Sequence, residues 1–88
     1  MYKIRQAFPS DVPIIAQFQV KMAMETENLT LDKDIVLKGV EAVINDNSKG
    51  KYLVVENEKK VIACLLTTYE WSDWRNGTII WIQSLYVE

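Results

Sequence analysis

The 88 residues predict an α/β domain whose mixed, mainly antiparallel sheet is flanked by helices, in the order strand, helix, helix, strand, strand, strand. Three observations predict it. Apolar residues recur at three- and four-residue spacing in two segments between Ile14 and Ile44. Stretches rich in β-branched and aromatic residues dominate from Tyr52 onward. Polar clusters of Asn, Asp, Ser and Gly punctuate the chain between them. With 49% hydrophobic and 25% charged residues there is enough apolar material for one globular unit, so a single domain over residues 1–88 is expected. A chain this short buries a smaller share of its surface than a domain of about 150 residues, so an uncovered apolar strand weighs heavily on it.

The first strand is read at Tyr2 to Ala7, with Tyr2, Ile4 and Gln6 on one side and Lys3 and Arg5 on the other. Phe8-Pro9-Ser10-Asp11 then carries helix-start signals: Ser10 as N-cap, Asp11 in the first turn, and Pro13 early enough to be tolerated. Ile14, Ile15, Phe18 and Met22 form the apolar stripe of a first helix that runs to about Glu25, with Gln17, Lys21 and Glu25 toward water. After the polar Thr26 to Thr30, Asp32 caps a second helix bearing Ile35, Val36, Val40, Val43 and Ile44. Gly39 inside it costs up to about 1 kcal/mol relative to alanine, which predicts close packing or a bend. Asn45 to Gly50 ends that helix. Strands follow at Tyr52–Glu56, Val61–Trp71 and Thr78–Val87, joined by a polar turn at Asn57–Lys60 and a loop ending in the turn dipeptide Asn76-Gly77.

Several function classes are excluded by composition. There is no histidine, which removes the common zinc sites and any Ser-His or Cys-His nucleophile from these residues. The one cysteine, Cys64, lies in an apolar run and is expected to be a buried, inert thiol. No metal is expected. A net charge of −2 without a dense Lys/Arg cluster argues against nucleic-acid binding. The longest apolar run, Val61 to Leu66, is too short for the roughly 20 residues of a membrane-spanning helix, and the start lacks a secretory signal pattern, so the expected location is the cytoplasm. The expected partner is a small molecule or a protein.

Ile4-Arg5-Gln6-Ala7 followed by Ser10-Asp11, then Gly50-Lys51-Tyr52-Leu53-Val54-Val55-Glu56, and above all Glu70-Trp71-Ser72-Asp73-Trp74-Arg75-Asn76-Gly77 with Trp81-Ile82-Gln83-Ser84-Leu85-Tyr86-Val87, resemble the opening strands of GNAT-type N-acetyltransferases. The resemblance spans essentially the whole chain. It implies the amino-terminal half of that fold, and transfer of acetyl from acetyl-CoA to a primary amine. In the family, the fourth strand runs into a Gln/Arg-x-x-Gly-x-Gly/Ala loop and helix start that hold the cofactor pyrophosphate through backbone N–H groups. No such loop is present among these residues, so the chain alone is expected to be inactive.

The resemblance also distributes roles. Backbone groups beside a bulge in the fourth strand, here Leu85, Tyr86 and Val87, are expected to align the acetyl-CoA thioester and its oxyanion. Glu70 on the third strand is the candidate base, with Asp73 as an alternative. Glu25 and Glu27 fall where the family binds the acceptor, and a carboxylate there attracts a cationic amine. Trp71, Trp74 and Trp81 are candidates for lining an acceptor pocket, Trp81 being expected in the core and Trp74 lying in a polar loop. Gln83 and Ser84 are further acceptor contacts, although strand alternation lets one of them, not both, face a given pocket. Against the enzyme stand two rivals: a ligand-binding module without chemistry, and an interaction module that self-associates as a homo-oligomer through the apolar carboxy-terminal strand.

Overall fold

The computed structural model describes all of residues 1–88. Its elements are β1 (Tyr2–Gln6), a 3-10 turn (Pro9–Asp11), α1 (Val12–Glu27), α2 (Lys33–Asn45), β2 (Lys51–Asn57), β3 (Lys60–Ser72) and β4 (Gly77–Val87). The strands form one sheet in the order β1-β2-β3-β4. Every pair is antiparallel, so the parallel component implied by a mixed sheet is not found within these residues.

Both helices lie on one face of that sheet. Phe18 and Ile15 of α1 and Val40 of α2 pack with Tyr52 and Val54 of β2 and Cys64 of β3 in the buried core, where Phe18, Ile15, Val54 and Cys64 are at most 1% exposed. The expected buried cysteine is found there, and burial pushes its thiol up to about 11. Burial likewise pushes the Tyr52 hydroxyl up to about 12.

The helix entry differs from the sequence-based reading. Ser10 does not cap α1; Pro9 instead opens a 3-10 turn after Phe8, and the Asp11 carboxylate accepts the Phe8 N–H at 2.6 Å. Arg5, from the polar side of β1, grips Asp11 with two hydrogen bonds of 2.7 and 3.1 Å, reaches Glu56 of β2 at 2.7 Å, and lies over the Phe8 ring at 4.5 Å. Arg5 therefore ties β1, β2 and the start of α1 together. Its guanidinium holds the Asp11 carboxyl below the ordinary value of 3.8. The alternation read in β1 is present, but the charged side faces the helices, whereas Tyr2 and Ile4 are 70% and 73% exposed.

Asp32 caps α2 as expected, its Oδ1 accepting from the Asp34 and Ile35 N–H groups. Gly39 corrects another expectation: a Cβ there would meet nothing within 4 Å, so close packing does not explain it. At Gly50 the glycine is required. Its φ is 151°, and a Cβ would sit 2.7 Å from the Thr67 carbonyl oxygen, where the start of β2 meets β3. The β2–β3 turn places Glu58 and Lys59 at φ 52° and 68°, the geometry of a two-residue hairpin turn without the usual Asn or Gly. Asn76, at φ 48°, closes the β3–β4 loop as its sequence predicts.

Candidate active site

β2 pairs with β3 only as far as Thr67, opposite Lys51, so residues beyond it on β3 are paired by β4 alone. The ladder is irregular at this point: Leu66 faces Ser84 and Thr67 faces Ile82, leaving Gln83 as an extra residue in β4. A bulge bends the strand and increases its twist. It forms where β3 loses its second neighbour and the hairpin twists free. The bulge therefore lies just before Leu85, Tyr86 and Val87.

The bulge also removes the premise that alternation separates Gln83 from Ser84. Ser84 pairs with Leu66 on the helix side, whereas Ile82, two residues earlier, pairs with Thr67 on the opposite face. Ser84 is held from α1, where Gln19 Nε2 donates to its Oγ at 3.3 Å. Gln83 is exposed.

Tyr86 faces the helices as well. Its ring meets Phe18 with centroids 5.2 Å apart and planes tilted by 34°. Its hydroxyl lies 3.5 Å from Glu25 Oε1, two helical turns beyond Phe18 on α1. Burial and the neighbouring Glu25 charge raise the Tyr86 hydroxyl above its usual range. Lys21 on α1 reaches Glu88 at 3.6 Å. Between α1 and the end of β4 lies an open groove of about 630 Å³ whose walls include Val20, Met24, Glu25, Tyr86 and Val87. The groove sets the Glu25 carboxylate at one wall and the end of β4 at the other.

The remaining candidates lie elsewhere. Glu70 is on the helix side of β3 but pairs with Ile79, six residues before Leu85, or roughly 20 Å along the strand. Its Oε1 accepts from Trp81 Nε1 at 2.7 Å. Trp81 is thus not in the core: it is 49% exposed on the part of the hairpin that no helix reaches. Trp74 is 96% exposed and Trp71 63%. Asp73 lies in the exposed loop, and Glu27 is exposed at the end of α1, next to the left-handed Asn28 that terminates the helix. No group of three acidic or cysteine side chains is placed to hold a metal ion.

Sequence reasoning missed Gln19 and the side chain of Tyr86. Gln19 carried a signal: it lies four residues after Ile15 and beside Phe18, a polar group on the border of the apolar stripe. Tyr86 did not, because its contact with Glu25 spans 61 residues.

The fold class defined so far is an antiparallel sheet with two helices on one face and a bulged last strand, and comparison with solved structures places it. Over its full length the chain is 49% identical to a possible acetyltransferase from Clostridium difficile 630, with a TM-score of 0.96, and it covers 58% of that protein. It covers 60% of a predicted acetyltransferase from Clostridium acetobutylicum, solved with acetyl-CoA, with all of this chain aligned at 16% identity and a TM-score of 0.76. It covers 62% of a GNAT family acetyltransferase from Staphylococcus aureus, with 98% of this chain aligned at 13% identity and a TM-score of 0.73. No protein-family profile and no curated protein matches the chain. The chain is a partial GNAT fold with acetyltransferases as its structural neighbours, and it spans a little under two thirds of their length.

Proposed function

We propose that the chain is part of an acetyl-CoA-dependent N-acetyltransferase acting on a primary amine of a small molecule or protein in the cytoplasm, and that these 88 residues alone are inactive. The observation that carries this reading is the match of all of this chain, at 49% identity, to 58% of the C. difficile protein. The backbone of Leu85, Tyr86 and Val87 aligns the thioester. The amine, deprotonated to its neutral form, attacks the carbonyl carbon, the adduct nitrogen loses its proton, the carbon–sulfur bond breaks, and coenzyme A leaves as the thiolate. The ammonium proton passes to a carboxylate and on to solvent. Glu25 and Glu27 attract the cationic acceptor and Gln83 contacts it, whereas Glu70, Asp73 and Trp74 stand about 20 Å or more along the hairpin from Leu85, beyond the reach of one bridging water. Support for the acceptor role is strongest at Glu25, the carboxylate that α1 brings to Tyr86.

The test is transfer of labelled acetyl from acetyl-CoA to a panel of amines. It is run with the 88-residue chain alone, and with the chain mixed with a separately produced segment comprising the rest of the C. difficile protein. Transfer is expected only from the mixture, and Glu25→Gln is expected to raise the amine KM with little change in kcat. Co-elution of the two pieces without transfer to any amine would sink the reading.

A second reading, a non-catalytic association module, is favoured by the apolar β4. In it the chain forms a homo-oligomer through its carboxy-terminal strand.

A further inference from the structure

Hydrophobic burial does not choose the register of β4. Beyond the pair of Thr67 with Ile82, a regular ladder would run on through Leu66 with Gln83, Leu65 with Ser84 and Cys64 with Leu85, leaving no residue over. The strand instead bulges at Gln83 and pairs Leu65 with Leu85 and Cys64 with Tyr86. The two registers differ by one residue, and a one-residue slip exchanges the faces of a strand. The regular one would turn Leu85 and Val87 toward the helices and Ser84 away from them, which suits an apolar core at least as well. The observed one turns the polar Ser84 toward α1 and gives up an unbroken ladder besides.

We infer that Gln19 is a positioning residue, whose hydrogen bond to Ser84 selects the bulged register of β4. Gln19 Nε2 donates to Ser84 Oγ at 3.3 Å, and both side chains are half-buried, so loss of the partner would leave an amide short of a hydrogen bond at the border of the core. A short hydroxyl fits this place. In the regular register Gln83 would stand opposite Leu66 instead, and its much longer side chain would have to share the gap between α1 and β4 with Gln19. The apolar contact discriminates less: Tyr86 packs on Phe18 with centroids 5.2 Å apart, but Leu85 would take that place in the regular register. The hairpin is free to twist where β2 ends, which permits a bulge, and Gln19 determines which residue of β4 forms it. The functional consequence rests on the acetyl-transfer reading. A slip would displace the backbone of Leu85, Tyr86 and Val87 by about 3.3 Å and turn each N–H and C=O group to the other edge of the strand, ending their alignment with a thioester.

Nuclear Overhauser contacts between β3 and β4 in the isotope-labelled 88-residue chain test the register directly. The unsubstituted chain is expected to show Leu65 against Leu85 and Cys64 against Tyr86. Gln19→Met, similar in length but unable to donate, is expected to show Leu65 against Ser84 and Cys64 against Leu85 as the major set. Gln19→Glu is expected to retain the native contacts, because its carboxylate accepts from the Ser84 hydroxyl. Should Gln19→Met fail to fold, Ser84→Ala removes the same bond from the other side and is expected to give the same slip. In the mixture with the rest of the C. difficile protein, Gln19→Met is expected to lower kcat/KM for acetyl-CoA at least about tenfold, while Gln19→Glu stays within about twofold of the unsubstituted chain. No transfer by the unsubstituted mixture would count against acetyl transfer alone, and the contacts would still decide the role of Gln19. Native contacts in both Gln19→Met and Ser84→Ala, or equal loss of transfer in Gln19→Met and Gln19→Glu, overturn the inference.

Discussion

On one face of the sheet, Val54 and Cys64 are 1% exposed beneath Phe18 and Ile15; on the other, Leu85 and Ile82 are 60% and 68% exposed. The side chains on both faces are apolar, so hydrophobicity alone does not separate core from surface here. Coverage does, and two helices cover one face. The covered side also carries the polar ties of the fold, Arg5 with Asp11 and Glu56, Gln19 with Ser84, and Tyr86 with Glu25. On the open side Thr67 Oγ1 donates to the Lys51 carbonyl at 3.3 Å.

The sharpest way to break this comparison is to truncate one residue on each face. Phe18→Ala is expected to cost about 3 to 5 kcal/mol, because it empties the covered core. Leu85→Ala, at a position 60% exposed, is expected to cost less than about 1 kcal/mol. Denaturant titrations of the two variants by circular dichroism check both, and equal losses would mean that the faces are not distinct.

Removal of the tie at the head of α1 comes next. Asp11→Ala is expected to cost about 3 kcal/mol, because Arg5 loses one of its two carboxylate partners in a largely buried setting. The same pair has a pH signature. Arg5 depresses the Asp11 carboxyl, so its contribution is present above the ordinary value of 3.8 and is lost as pH falls through the lower folded value. Stability of the Asp11→Ala chain should therefore vary less with pH below about 4, as read from denaturation midpoints across the acid range.

The core thiol gives the opposite limb. Burial raises Cys64 from 9.0 to about 11, so the stability it contributes is complete below pH 9 and disappears as pH climbs through about 11. This amounts to about 3 kcal/mol, and Cys64→Ala should flatten that alkaline decline, whatever its cost at neutral pH. The smallest effect is a gain. Replacing Glu58-Lys59, both at positive φ, with Asn-Gly is expected to stabilise the chain by about 1 kcal/mol, visible as a raised thermal midpoint.

The element order was legible in the sequence because periodicity and capping are local. Asp32 and Asn76 act where their residue types predict, and Cys64 is buried as its apolar run implies. What escaped was long-range. Period two in β1 shows two faces, but not that Arg5 turns inward to meet Asp11 while Ile4 turns outward. The Gln83 bulge depends on where β2 stops supporting β3, and the exposure of Trp81 depends on how far the helices extend over the hairpin. Ser10 yielded the helix start because Pro9 set up an earlier turn. Of the candidate site, the β4 segment and Glu25 were read and the fold brings them together. Glu70 lies roughly 20 Å along the strand from Leu85 because register is not written in either strand alone.

The central claim is that these residues form part of a cofactor site and not the whole of it. Calorimetric titration of acetyl-CoA into the 88-residue chain tests it most directly. No saturable heat up to about 1 mM is expected, because no backbone loop for the pyrophosphate is present among these residues; saturable binding with a micromolar dissociation constant would contradict the account.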